Sequence, residues 1–209
     1  MMKQTSTKEI LVIAIKLLVI CSIVATIVAA VNYITADKIA YNEKLNTAEA
    51  LTGIYFDNYG KEFEVDGNSY VISDDGNIII SCKEAAFDFS TKDIKALYIL
   101  SDTENNTLGY CVSIQPMGFK DCIKMLVAVN PDCTVKGVEI VSMSETSGIG
   151  TKAQDPSFLG KFANLNSTEV SSEVDIISGA TKTSKPVIDA VTASLNEVSS
   201  YIRESRGEN

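Results

Sequence analysis

Residues 10–31 form an almost unbroken apolar run in which Lys16 is the single charged side chain, and beyond Lys16 nothing is more polar than Ser22 and Thr26. A helix rises 1.5 Å per residue, so about 20 such residues cross the ~30 Å hydrocarbon layer of a bilayer. The run therefore predicts one transmembrane helix. Lys16 sits near its N-terminal end, where a long stem can carry the ammonium to the headgroups. Lys3, Lys8 and Lys16 lie on or near the N-terminal flank, against Asp37 with Lys38 on the other. That asymmetry favours a single-pass protein with a cytoplasmic N-terminus and an extracytoplasmic globular domain. A cleaved signal peptide competes, because Val28-Ala29-Ala30 loosely resembles a cleavage site. The run is longer than a usual signal core and no lipobox cysteine follows, so a retained membrane anchor is preferred.

A single core needs on the order of 100–150 residues, so 209 residues divide economically into an anchor over 1–36, a juxtamembrane helix and connection over 37–68, and one domain over 69–209. Ile39, Leu45, Ala48 and Leu51 recur near helical spacing. A stretch over 60–75 is rich in Gly, Asp and Asn, and the region reads as strands joined by turns. Short β-type runs follow at 69–72, 77–81 and 96–100, then stronger ones at 108–114, 123–130 and 134–141. Asn130-Pro131-Asp132-Cys133 predicts a tight turn, and so an antiparallel hairpin. Phe158, Leu159 and Phe162 suggest a short helix or packed loop. Val187, Val191, Leu195, Val198 and Ile202 mark one face of a C-terminal helix, with Ser184 as N-cap and Pro186 in the first turn. Residues 207–209 read as a frayed tail. The predicted fold class is α+β: one N-terminal transmembrane helix, then a domain with an antiparallel sheet and a C-terminal helix.

Composition excludes several kinds of chemistry. A net charge of −9 leaves no basic stripe for nucleic acid. The chain has no histidine, which removes histidine-based triads, histidine-ligated zinc and histidine-ligated haem. Five cysteines are present, but none forms C-x-x-C, which speaks against a zinc or iron–sulfur site built by this chain alone. Buried thiols are the expected role; one or two disulfides stay open for an extracytoplasmic domain. No metal site and no catalytic residue is expected, so chemistry here is borrowed from a cofactor.

Two short motifs carry that chemistry. In Asp175-Ile176-Ile177-Ser178-Gly179-Ala180-Thr181, Gly179 and Ala180 leave backbone and hydroxyl open to a bulky partner. Asp175 can order the turn through backbone hydrogen bonds or assist a metal-dependent transfer. An anionic group at Thr181 would sit near a helix N-terminus, where free amides favour an anion, and Lys182 can add a charged contact. Thr183 either caps the helix or touches that anion. The second motif is Glu145-Thr146-Ser147-Gly148-Ile149-Gly150, a glycine loop closing the strand hairpin. Taken alone, Glu145 reads as a solvated loop charge.

The first motif resembles the flavinylation pattern D-x-x-[ST]-G-A-[TS], whose last hydroxyl is joined to FMN as a phosphodiester. The second resembles the E-T-P-G-L-G loop of the FMN-binding domain family, which is shared by the RnfG protein of the Rnf electron-transport complex and its counterpart in the sodium-translocating NADH:quinone reductase. The order of anchor, hairpin, glycine loop, S-G-A-T and terminal helix also agrees. The resemblance is most specific over residues 108–193.

It implies covalent FMN on Thr181 and places Glu145, Thr146, Gly148, Ile149 and Gly150 beside the flavin ring. It also implies a maturing flavin transferase and partner subunits in a membrane complex. The compact segment before residue 108 leans toward the RnfG type, an electron-transfer subunit of an ion-translocating ferredoxin:NAD+ oxidoreductase that is not catalytic alone. The sodium-pump counterpart, or a stand-alone FMN domain of an extracytoplasmic reductase, is the alternative. From another class, a membrane-anchored structural or ligand-binding protein without flavin would make S-G-A-T accidental. Ser147 replaces the usual proline, Ile149 the leucine, and Met143 stands near where a histidine often precedes the loop. Without proline the loop should be less pre-set.

Overall fold

The computed structural model describes residues 7–55, 62–66, 69–74 and 77–207. Lys3, the side chain of Lys8, the linking positions within the 60–75 stretch and the last two residues lie outside the described set. The chain divides into two compact units, Met1–Lys44 and Leu45–Asn209.

Helix α1, Thr7–Tyr55, makes up the described part of the first unit, and its residues from Leu45 onward belong to the second. Over residues 10–31 it is apolar on every side apart from Lys16, and its membrane-length stretch buries nothing against the protein. Leu18, for example, is 68% exposed. So large an exposed apolar surface needs a partner other than water. Two threonine hydroxyls bond inside the helix, Thr26 Oγ1 donating to Ser22 O at 2.8 Å and Thr35 Oγ1 to Val31 O at 2.8 Å. Internal pairing is what an apolar solvent demands of polar groups.

The second unit is a seven-stranded antiparallel meander whose spatial order follows the sequence. Its strands are β1 (Glu62–Asp66), β2 (Ser69–Asp74), β3 (Asn77–Glu84), β4 (Ile94–Ser101), β5 (Thr107–Ile114), β6 (Lys124–Val129) and β7 (Val135–Ser142). Sequence reasoning finds all but β1, whose Glu-Phe-Glu-Val-Asp is too acidic and short to stand out. Both faces of the sheet are covered. Leu97, Val112, Ile114, Met125, Val127 and Val129 pack on one side with the C-terminal helix. Ile72, Cys82, Leu100, Cys111 and Leu126 pack on the other with Ala48 and Leu51 from the end of α1. Double coverage explains why β6 reads as a continuous apolar run instead of alternating.

The turn after β6 forms as expected: Cys133 N donates to Asn130 O at 3.0 Å, and Cys133 takes a left-handed φ of 63°. That is the type I turn plus bulge common in short hairpin loops. All five cysteines are free thiols. Cys82 and Cys111 flank β4, opposite Leu100 and Tyr98. Two strand spacings, about 9–10 Å, exceed disulfide reach. Burial pushes the Cys82 thiol up to about 12 and raises Cys111 as well.

After β7 come a 3-10 turn (Gly150–Gln154), α2 (Pro156–Leu159), a second 3-10 turn (Gly160–Phe162), α3 (Ser167–Glu173) and α4 (Thr181–Ser205). Asn166 and Glu169 cap α3 reciprocally. The five predicted α4 residues, Val187, Val191, Leu195, Val198 and Ile202, are all buried. The helix start differs from the sequence expectation. It begins at Thr181 with Ala180 in the N-cap position, so Pro186 falls in the second turn. Ser184 is no cap; its hydroxyl accepts from Ile177 N at 3.1 Å and donates to Ala180 O at 3.0 Å.

Candidate functional site

Three segments far apart in sequence meet at one end of the sheet. The first is the tip between β5 and β6, where a Met117–Cys122 bridge and the bond from Gly118 N to Asp121 O (2.9 Å) fold the chain back. The second is the glycine loop that leaves β7. The third is the turn into α4. Together they line a cleft of about 460 Å³ formed by Phe119, Glu145, Thr146, Ile149, Gly150, Gly179, Ala180, Thr181, Lys182 and Thr183.

The glycine loop and the α4 turn have the same construction. Ile149 N donates to Thr146 O at 3.2 Å, and Ala180 N to Ile177 O at 2.9 Å, so each closes a four-residue turn. A Ser-Gly pair occupies the middle of both, and the glycines adopt φ +73° (Gly148) and +79° (Gly179). This is the third position of a type II turn, which only glycine fills without strain. The second turn delivers the chain into α4 with Thr181 as first helical residue, its side chain exposed and on the cleft. The amides of Thr181 and Lys182 have no carbonyl one turn earlier to bond and stay free for an anion.

Glu145 is not the solvated charge its loop position suggests. It is 8% exposed. Its Oε1 accepts from Phe119 N at 2.8 Å and Lys120 N at 3.1 Å, and its Oε2 accepts from Thr183 Oγ1 at 2.8 Å. A buried carboxylate is tolerated when donors satisfy it. Backbone has been cleared around it. A Cβ on Gly150 would stand 2.8 Å from Glu145 Cβ and 2.9 Å from its Oε2, and one on Gly118 would collide with Oε1. Thr183, 2% exposed, spends its hydroxyl on Glu145 and caps nothing.

Of the residues singled out in the sequence, Glu145, Thr146, Ile149, Gly150, Gly179, Ala180, Thr181, Lys182 and Thr183 all line the cleft. Gly148 and Ser178 shape the turns behind it. Asp175 is exposed, and among the described residues it makes no hydrogen bond; Ser184 orders the turn in its place. Sequence reasoning overlooks Gly118, Phe119 and the Lys120 amide. The available signal is an aromatic beside a glycine in a loop between two strong strands. Phe119 is 57% exposed, with Lys182 Nζ 5.5 Å from its ring centroid.

The donor set suits an FMN. Phe119 and the half-exposed Ile149 give apolar walls, two glycine turns allow close backbone approach, and the start of α4 with Lys182 on the lining would suit a phosphate. Among the described residues no group of three or more acidic or cysteine side chains could hold a metal ion.

Residues 118–196 match the FMN-binding domain family and take in the whole cleft lining. The G subunit of the ion-translocating oxidoreductase complex of Methanosarcina acetivorans is 27% identical over 202 residues, covering 93% of this chain and 97% of that protein. The G subunit of the proton-translocating ferredoxin:NAD(+) oxidoreductase complex of Clostridium ljungdahlii is 32% identical over 105 residues, 46% of this chain and 57% of that one. The crystal structure of Shewanella oneidensis NqrC aligns with a TM-score of 0.41 at 24% identity, over 53% of this chain and 61% of that chain. Residues 118–196 thus belong to the FMN-binding domain family, and nearly the whole chain is similar to the G subunits of ion-translocating oxidoreductase complexes.

Proposed function

We propose that the chain is the FMN-carrying electron-transfer subunit of a membrane-bound ion-translocating ferredoxin:NAD+ oxidoreductase, with FMN joined to Thr181 by a phosphodiester. The observation that carries this reading is the position of Thr181: exposed, on the cleft wall, and first in a helix whose opening residues Thr181 and Lys182 line the same space. In the maturation step a flavin transferase would take FMN from FAD. The Thr181 oxygen gives up its proton and bonds to the flavin-side phosphorus while the bond to AMP breaks.

Bound FMN supplies the electron chemistry, accepting two electrons and releasing them singly. The chain's own residues position it. The α4 amides and Lys182 hold the phosphate, Gly179 and Ala180 leave its attachment point unobstructed, and Thr146, Ile149, Gly150 and Phe119 form the ring's surroundings. A covalent bond makes retention independent of affinity, an advantage outside the cytoplasm where lost cofactor is not replaced. That setting agrees with an N-terminus inside, α1 as single-pass anchor and the domain outside, beside other subunits of the complex.

In-gel flavin fluorescence and intact mass test the reading on the full chain co-expressed with a flavin transferase. Wild type carries one FMN after denaturation, Thr181→Ala carries none, and Thr183→Ala still carries adduct, if less of it. A wild-type chain without covalent flavin refutes the proposal, and loss of the adduct on Thr183→Ala with retention on Thr181→Ala moves the attachment site.

A further inference from the structure

The Glu145 carboxylate ties together all three segments of the cleft. Its two oxygens join the Phe119–Lys120 amides of the tip to the Thr183 hydroxyl of α4, and Glu145 itself opens the glycine loop. Thr183 lies two residues beyond Thr181, on the same helical turn. Holding Thr183 therefore fixes where the α4 amides and the Thr181 hydroxyl point. Holding the tip fixes Phe119, whose ring is a cleft wall.

The carboxylate is also electrically unbalanced. Every partner is neutral, two amides and a hydroxyl, and among the described residues no lysine or arginine pairs with it. Lys182, the cation in the cleft lining, rests over the Phe119 ring instead. A negative charge on the wall of a partly enclosed cleft opposes the arrival of further negative charge there, because protein screens it less than water does.

We propose that Glu145 is a positioning and tuning residue: it clamps the tip, the glycine loop and the start of α4 into one cleft, and its charge lowers the reduction potential of the flavin held there. The tuning half rests on the cleft holding FMN; the clamp does not.

Glu145→Gln separates the two roles. The amide oxygen can accept from Phe119 N and Lys120 N while its NH2 donates to Thr183 Oγ1, which reverses its hydroxyl to accept, so every hydrogen bond survives and only the charge is lost. Glu145→Ala loses both. The full chain is compared as wild type and the two variants, with amide hydrogen exchange over residues 117–122 in flavin-free protein, covalent flavin content, and potentiometric titration of the loaded protein.

The expected results are wild-type exchange and flavin content in Glu145→Gln with a potential shifted upward, and faster tip exchange with reduced flavin content in Glu145→Ala. An unshifted potential in a fully loaded Glu145→Gln overturns the tuning role while leaving the FMN assignment intact. Wild-type exchange and loading in Glu145→Ala overturn the clamp. If Glu145→Ala does not fold, faster tip exchange in Glu145→Gln joined to Thr183→Val, against Glu145→Gln alone, supports the clamp, and unchanged exchange overturns it. A wild-type chain that takes up no flavin sinks the FMN assignment and the tuning role together, and the exchange comparison still decides the clamp.

Discussion

The same substitution at three glycines of the domain should give three different outcomes, and Gly150→Ala is the most informative. A Cβ there would stand 2.8 Å from Glu145 Cβ, 2.9 Å from Glu145 Oε2 and 3.1 Å from Thr183 Oγ1. Carbon atoms in contact prefer about 3.5–4.0 Å, so the methyl must displace a side chain anchored by three hydrogen bonds. Overpacking costs roughly 1–3 kcal/mol, and a loosened bond to a charged group has a similar worth. The two overlap, since one movement relieves the clash by weakening the bond. Alanine returns about 0.4–1 kcal/mol by restricting the unfolded chain. The net loss is on the order of 2 kcal/mol, which for a domain of this size lowers Tm by about 4–8 °C. Gly160, at φ −64° with open space around it, should lose nothing and gain up to about 1 kcal/mol. Gly148, at φ +73° with equally open space, should lose about 1 kcal/mol through backbone strain alone. Near-UV circular dichroism of the full chain in detergent, followed through thermal unfolding, reads all three. If Gly150→Ala melts with Gly160→Ala, the close packing of Glu145 beneath Gly150 is wrong.

Three further outcomes follow from single side chains. Thr183→Ala strips Glu145 Oε2 of its donor and should cost about 1–3 kcal/mol in chemical denaturation, while Thr183→Ser stays near wild type. Maleimide applied to the native chain should leave Cys82 and Cys111 unmodified, because both are buried with thiols raised by burial; intact mass after labelling checks this, with denaturant as the positive control. Burial on β7 raises the Glu139 carboxyl, so the folded state holds that proton more tightly than the unfolded chain and stability falls as pH climbs from the ordinary carboxylate value to the raised one. Glu139→Gln should remove that part of the fall in a Tm series across about pH 4 to 7, and parallel curves for the two proteins would refute it.

Much of the architecture is legible because it follows from local pattern. Apolar runs mark β2 to β7, and the 3.6-residue spacing of Val187, Val191, Leu195, Val198 and Ile202 identifies the buried face of α4. What stays hidden depends on partners distant in sequence. Glu145 reads as a surface charge because nothing within the loop can satisfy it; its amide donors lie 25 and 26 residues earlier and its hydroxyl donor 38 later. Phe119 has no periodicity to betray it, since a lone aromatic in a tip looks the same whether it walls a cleft or caps a core. Ser184 has the chemistry of an N-cap, but the turn that holds Gly179 starts the helix four residues sooner and turns that hydroxyl inward.

The glycine loop departs from its usual composition at Ser147, the second turn position, where proline would pre-set φ and reduce the entropy lost on ordering. In this chain other bonds hold the loop: Gly148 N donates to Thr151 Oγ1 at 2.9 Å and Thr151 N to Thr146 O at 3.3 Å, in addition to the turn's own closure. Two bonds of about 1 kcal/mol each are comparable to the 0.4–1 kcal/mol a proline contributes. The loop is also gripped at both ends by the carboxylate, through Glu145 itself at one end and the packing of Gly150 against it at the other. Pre-organisation therefore passes from a stiff residue inside the loop to a buried charge beneath it, and the cleft's shape becomes as dependent on Glu145 as on the two glycine turns.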